Sequence, residues 1–406
     1  MAKSRPGSAP TKRQARHEKE RAGAILHGTR EPRPSSLKPK PSPTALLAEA
    51  TSLLHTSQPS EALPLALRAL ALSQPDTPKA LPALTLLAEI ALELGDADQA
   101  RSYFVQAVLL DPDGSLLDSE GGGAEKFLWL AQLSEDGGQD SVQWFEKGAA
   151  VLRKEVSALP ENGPGTVDKR KKLAGALCGI IELFMTDLSW EPAAEETCET
   201  LVTEALLTAP LSPEPLQTLA SIRISQQRIP EAKSALERSM QLWCDLPPED
   251  VSVPDFPTRI SLARLLMEVS MADEALEVLE RLVQEDDGSV EAWYLGGWCL
   301  YLSGVSRREQ SSSMDEGDDG DGEWKALLAA SREWLGNALR LYEMVEYEDE
   351  RLREHAVELV GEIGKEVAVG EGEGDGEEEW ESEEGDGEDG AVEGAEGDND
   401  QEMNDA

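Results

Sequence analysis

The sequence predicts an all-α protein, a stack of antiparallel helix pairs flanked by two unfolded tails, and three observations carry that expectation. Of the 406 residues, 40% are hydrophobic but only 5% aromatic, so the core has to be built mainly from Leu, Ala and Val. That mixture suits helices meeting through small side chains better than sandwiches or barrels. A stripe consisting of a small residue, a larger one four positions on and a third residue three beyond that recurs along the chain, which is helical spacing. Finally, the charge is sorted into zones, with 37 Lys/Arg against 80 Asp/Glu and a formal net charge of −43.

Residues 1–43 carry eleven Lys/Arg against three Asp/Glu, with prolines at 6, 10, 32, 34, 39, 41 and 43. Such a segment buries too little apolar surface to repay its ordering entropy, and it is expected to be a disordered basic arm. Residues 44–365 form the helical body, which is itself acidic, with 26 Lys/Arg and 58 Asp/Glu. Its clearest unit lies between Pro82 and Pro112, where Leu84, Leu87, Ala88 and Ala91 make one apolar stripe and Ala100, Phe104, Ala107 and Val108 make the next. Between them Gly95 suits the left-handed position after a helix and Asp96 suits the cap of the next one, with Gln99 reaching back.

The order Ala100, Phe104, Ala107 and Pro112 resembles the second half of a tetratricopeptide repeat. Small residues are needed there because the partner helix crosses at close range, and the proline stops the second helix before the next unit. The pattern recurs at Ala62, Ala66, Ala69 and Pro75, at Cys198, Val202, Ala205 and Pro210, at Ala232, Leu236 and Ser239, and at Ala275, Leu279 and Leu282. Weaker copies stand at Ser141, Phe145 and Gly148 and at Ser331, Leu335 and Ala338. The best first-half match is EAWYLGGWCLYL at 291–302, with Trp293 and Gly297 in the family's tryptophan and glycine places and Gly296 where Leu is usual. About seven helical hairpins follow, interrupted by loops near 121–123, 160–165 and 246–257 and by an acidic loop at 306–323, with a polar capping helix at 346–367. Within that last loop, 309–323 holds seven carboxylates and no basic residue, and it reads either as a mobile tether for a basic ligand or as a tolerated insertion. Residues 366–406 hold nineteen Asp/Glu, no Lys or Arg and many glycines, and are expected to form a disordered acidic tail; its single aromatic, Trp380, is a docking element or a passenger.

Little in the chain argues for catalysis. Cys178, Cys198, Cys244 and Cys299 lie far apart without a C-x-x-C pair and read as thiols of a reducing compartment. The histidines, His17, His27, His55 and His355, form no metal-binding spacing. No G-x-S-x-G elbow occurs, and the G-x-G-x-G of the tail follows no strand and is crowded with carboxylates that would repel phosphate. The expectation is a protein that is not an enzyme and needs no cofactor. The excess of acid argues against direct DNA binding, and the lack of an apolar leader or of a run of about eighteen apolar residues argues against secretion or a membrane span.

Lys12, Arg13, Arg16, Lys19 and Arg21 have the composition of a nuclear import signal, which would make an import receptor a partner and place the protein in both cytoplasm and nucleus. A solubilising arm, or one that folds back on the acidic body, is the alternative. In an array of this kind the first helix of each unit lines the concave groove, which assigns Glu89, Glu93, Glu182, Asp187, Glu268, Glu291, Tyr294, Trp298 and Tyr301 to a partner-binding surface. Carboxylates beside aromatic rings suit a Lys/Arg-rich peptide, although Trp298 and Tyr301 could equally pack against a neighbouring unit. An acidic groove and an acidic tail describe a device for holding a very basic polypeptide, such as a ribosomal protein or a histone.

Basic arm, repeat body, the 291–302 segment and acidic C-terminus together resemble the fungal dedicated assembly chaperones of ribosomal large-subunit protein four, over most of the body in order. The resemblance implies capture of the newly made ribosomal protein by its long basic internal loop, escort into the nucleus and release at the pre-ribosome. A histone chaperone of the tetratricopeptide class and a non-catalytic scaffold are the other readings.

Overall fold

The computed structural model of the chain describes residues 42–74, 77–160, 163, 165–313 and 319–370. Every regular element among them is helical. Seven antiparallel pairs follow one another: α1 (Pro43–His55) with α2 (Pro59–Leu72), α3 (Leu81–Glu93) with α4 (Ala97–Leu110), α5 (Glu125–Gln132) with α6 (Gly138–Ala158), and α7 (Thr166–Met185) with α8 (Ala194–Thr208). Then come α9 (Glu214–Ser225) with α10 (Ile229–Gln241), α11 (Phe256–Glu268) with α12 (Ala272–Glu285), α13 (Val290–Ser313) with α14 (Asp319–Met344), and a last helix, α15 (Glu350–Gly370). The basic arm as far as residue 41 and the tail beyond residue 370, with the import residues Lys12 to Arg21 and Trp380, lie outside the described residues.

The turns show how the chain reverses. In four pairs one residue, two before the second helix, takes a left-handed conformation: Ser57, Gly95, Gln227 and Ser270. Only Gly95 does so without steric cost, and the three others carry the turn at the expense of backbone strain. Asp96 accepts the Gln99 amide at 3.0 Å, and Ser42 and Asp255 cap α1 and α11 in the same way.

The recurring stripes fall on the buried faces of the second helices. Ala62, Ala66, Ala69, Ala100, Ala107, Ala205, Ala232 and Ala275 are all out of contact with solvent, and so are the larger members Phe104, Leu236 and Leu279. Where serine replaces alanine the hydroxyl is used: Ser239 donates to the Pro213 carbonyl at 3.1 Å and Ser331 to the Gly297 carbonyl at 2.7 Å. Gly297 is required for a different reason, since a methyl group there would come within 2.6 Å of Leu335. First helices also stack on one another, α1 on α3, α7 on α9, α9 on α11 and α11 on α13, so that one face of the array is built mainly from them.

Two expectations are corrected. The stretch 306–323 is not a single loop: α13 runs on to Ser313 and α14 begins at Asp319, leaving 314–318 outside the described residues. Helix-forming residues after Gly304 meet no stop signal, and Arg307 pairs with Glu323 at 3.2 Å across the two extensions. The final helix starts at Glu350 rather than 346, because Glu346 is left-handed and Asp349 supplies the cap by accepting the Leu352 amide at 3.1 Å.

Between α4 and α5 the chain buries an ion pair. Lys126 is fully enclosed and donates to Asp111 at 2.9 Å and to the Gly123 carbonyl at 2.8 Å, while the other Asp111 oxygen accepts the Ser115 amide at 2.9 Å. Burial alone would push the Asp111 carboxyl up, but the Lys126 hydrogen bond, the Ser115 and Leu116 amides and the Lys126 charge hold it below its ordinary range. A lowered carboxyl contributes stability that is complete above the usual carboxylate range and is lost as pH falls through the lowered value. Lys126→Met strands the buried carboxylate and should cost about 3–5 kcal/mol in urea unfolding, with part of the loss recovered when Asp111→Asn is added. A single variant as stable as the parent would show that the pair is not buried in solution.

Candidate functional site

The face built from first helices carries a concave cleft of about 740 Å³ between α5, α6, α7, α9 and α11. Its floor is low because Gly175 and Gly179 lie one helical turn apart on α7, and a methyl group at Gly179 would press on the Phe145 ring at 2.8 Å. Glu182 projects from α7 and Glu214 from the first turn of α9. Glu214 is solvent-exposed, yet partial burial pushes its carboxyl up; Asp255 repels it further and Lys171 offsets part of the effect. Cys178 also lines the cleft, and burial pushes its thiol up to about 11, which keeps it protonated and unreactive near neutrality.

Glu89 on α3 repeats this arrangement further along the face. Burial pushes its carboxyl up, Glu125 on α5 adds to the rise, and His55 at the end of α1 opposes it. Glu125 is in turn paired with Lys172 of α7, so carboxylates of α3 and α5 and a lysine of α7 form one chain of charges. Glu93 is exposed at the C-terminal end of α3.

A second cavity of about 620 Å³ lies between α11, α13 and the first turn of α15 and brings Glu268, Tyr294 and Trp298 together. Glu291 stands beside it in a pair with Arg264. Here the capping helix has taken much of the polar capacity: the Tyr294 hydroxyl is hydrogen-bonded to His355 Nδ1 at 2.7 Å, and Trp298 meets the same imidazole edge-on with ring centroids 5.2 Å apart. Tyr301 is not in the cavity; its hydroxyl donates to Glu362 of α15 at 2.6 Å, and that bond, with burial, pushes it up to about 12.

The nine groove residues thus divide. Glu182 lines the cleft, Glu268, Tyr294 and Trp298 line the second cavity, Glu89 on α3 stands near Glu125, Glu93 stands at the end of α3, Glu291 is paired, and Tyr301 fastens α15. Asp187 departs most from its expected place: α7 ends at Met185, and the Asp187 carboxylate accepts the Gly138 amide at 3.0 Å, at the N-terminus of α6. The sequence reading overlooked Glu214 and Glu125. Each stands in the first turn of a first helix, and the Ser212-Pro213-Glu214 start of α9 was the available signal. It also overlooked the run 169–172, four basic residues in an acidic body; Lys169 bridges Asp118 and Glu155 at 2.8 and 2.6 Å, and Lys171 and Lys172 bring positive charge to the cleft. Among the described residues no cluster of three or more potential metal ligands occurs, and no helix is long and apolar enough to cross a membrane.

Residues 47–115 match the tetratricopeptide repeat model. The chain is 51% identical over 373 residues to the probable assembly chaperone of rpl4 from Emericella nidulans, covering 92% of this chain and 93% of that protein. It is 38% identical over 317 residues to the protein of the same description from Schizosaccharomyces pombe, covering 78% of this chain and 89% of the relative. Among solved structures, the assembly chaperone of RpL4 (Acl4), residues 1–338, is 52% identical and superposes with a TM-score of 0.62 over 66% of this chain and 99% of that one.

Glu89 and Glu214 should titrate above the ordinary carboxylate range in a carbon-detected NMR titration. Because a raised carboxyl opposes folding once it ionises, Glu214→Gln should leave the melting temperature at neutral pH unchanged or higher. A clear fall would mean that the carboxylate is compensated.

Proposed function

This chain belongs to the fungal family of assembly chaperones of rpl4, and we propose that it holds newly made ribosomal protein four along its first-helix face. The bound part is the basic internal loop of that protein, which the chaperone keeps soluble and away from non-specific contacts with nucleic acid until it joins the pre-ribosome. The chaperone works by binding alone, with no bond made or broken. Escort from cytoplasm to nucleus belongs to the same proposal, with Lys12, Arg13, Arg16, Lys19 and Arg21 engaging an import receptor.

The observation that supports this reading most directly is the state of Glu89 and Glu214. Each is a solvent-exposed carboxylate whose carboxyl is raised by partial burial and by a neighbouring acid, Glu125 or Asp255, with His55 or Lys171 opposing the rise. An arriving Lys or Arg relieves the repulsion between the two neighbouring acids, so pairing there is more favourable than at an isolated surface carboxylate. Outside the groove, the net charge of −43 draws a cationic ligand from a distance and makes its association fast and salt-sensitive.

Tagged chain purified at low and moderate salt should carry ribosomal protein four at near-equal amount, and histones in its place would move the assignment to a histone chaperone. Glu182→Lys with Glu214→Lys should weaken capture about tenfold or more while leaving helicity unchanged. Cation binding pulls the raised carboxyls down and releases protons, so affinity should fall as the pH drops through their range, which calorimetry in buffers of different ionisation heat would register. Affinity independent of both salt and pH would sink the electrostatic account.

A further inference from the structure

The cavity between α11, α13 and α15 differs in chemistry from the central cleft. Two positive rim residues, Arg264 and Arg351, are balanced by two negative ones, Glu268 and Asp349. Its main polar groups are already engaged: Arg264 with Glu291, the Tyr294 hydroxyl with His355, and Asp349 with the Leu352 amide. What faces the open space is the pair of rings of Tyr294 and Trp298, 6.0 Å apart, with Met267, Leu295 and Leu302. Leu302 is left 42% exposed on the wall. Charge therefore selects nothing here, and the gain available is the removal of apolar surface from water.

The cavity and the cleft are both lined by α11. Ser261 and Leu265 of α11 line the cleft, and Arg264 and Glu268, three residues further on in each case, line the cavity. An extended segment lying across the first helices passes from one to the other by crossing α11. Neighbouring helix axes stand about 8–10 Å apart and an extended chain advances about 3.3 Å per residue, so two helix spacings correspond to about six residues.

We propose that the cavity between α11, α13 and the first turn of α15 is an apolar anchor site, which takes one large hydrophobic side chain from the same polypeptide whose basic stretch occupies the central cleft. This rests on the groove reading above and adds a specificity that charge cannot supply: basic segments without a correctly spaced apolar residue are held weakly and lost in salt, and anchored ones are retained. The first turn of α15 closes the site, which gives the capping helix a part in recognition beside its part in ending the stack.

Two fluorescent peptides test the proposal on the full-length chain: a Lys/Ser peptide with a single Phe about six residues from its basic block, and the same peptide with Ser in that place. The Phe peptide should bind about tenfold tighter or more, and the ratio should survive at high salt although both affinities fall. Leu302→Gln and Met267→Gln, at a solvent-exposed and a half-buried position, should abolish the ratio and leave binding of the Ser peptide unchanged, with helicity and melting as controls on folding. Equal binding of the two peptides, or a ratio that persists in both variants, overturns the anchor site while the groove reading stands. Failure of the Ser peptide to bind at low salt overturns the groove reading and the anchor site with it.

Discussion

Close approach of paired helices is the constraint from which the rest of the structure follows. Two helices meet at the short distance seen here only where alanine, glycine or serine stands at the crossing, and Ala66, Ala107, Ala205, Ala232, Gly297 and Ala338 occupy such places from one end of the array to the other. Because each pair buries its apolar stripe within itself and against its neighbours, the first helices are left with a face that packing does not consume. The cleft and the cavity beside it exist because that face is free.

What occupies the free face reflects a compromise between folding and binding. Glu89 and Glu214 stand near like charges, and partial burial with that repulsion raises both carboxyls, which opposes rather than supports folding once they ionise. Elsewhere the chain treats its charges differently. Arg153 forks onto Glu204 at 2.6 and 2.8 Å, tying α6 to α8, and Arg223 forks onto Glu199. These two carboxylates are fastened by arginine forks, whereas Glu89 and Glu214 have no such fork.

The fold was legible because its rule is local. A small–large–small stripe specifies a close helix crossing wherever it occurs, and even the weak copy at Ser331, Leu335 and Ala338 marks a fully buried crossing of α14. The site was less legible, because its geometry depends on contacts between distant segments. Asp187 lies five residues beyond Glu182, off its helical face, and the helix ends before it, leaving its carboxylate to accept the Gly138 amide. Tyr301 stands with Tyr294 and Trp298 in sequence, and only the course of α15, some sixty residues on, sets it apart by placing Glu362 over its hydroxyl. The Gly- and Asp-rich stretch after Ser313 reads as one long loop by composition, while α13 runs on to Ser313 and α14 begins at Asp319, inside the segment.

A stack whose interfaces are alanine against leucine carries an ambiguity, since one pair fits nearly as well on another pair as on its proper neighbour. The enclosed Lys126 removes that freedom at one joint. Its ammonium can be buried only opposite Asp111 and beneath the Gly123 carbonyl, so stacking in the wrong order, or on a second molecule, would bury a bare cation at a cost of several kcal/mol. One charge inside the array thereby ties the seating of α5 on the end of α4 to a single register, which apolar contacts alone would not specify.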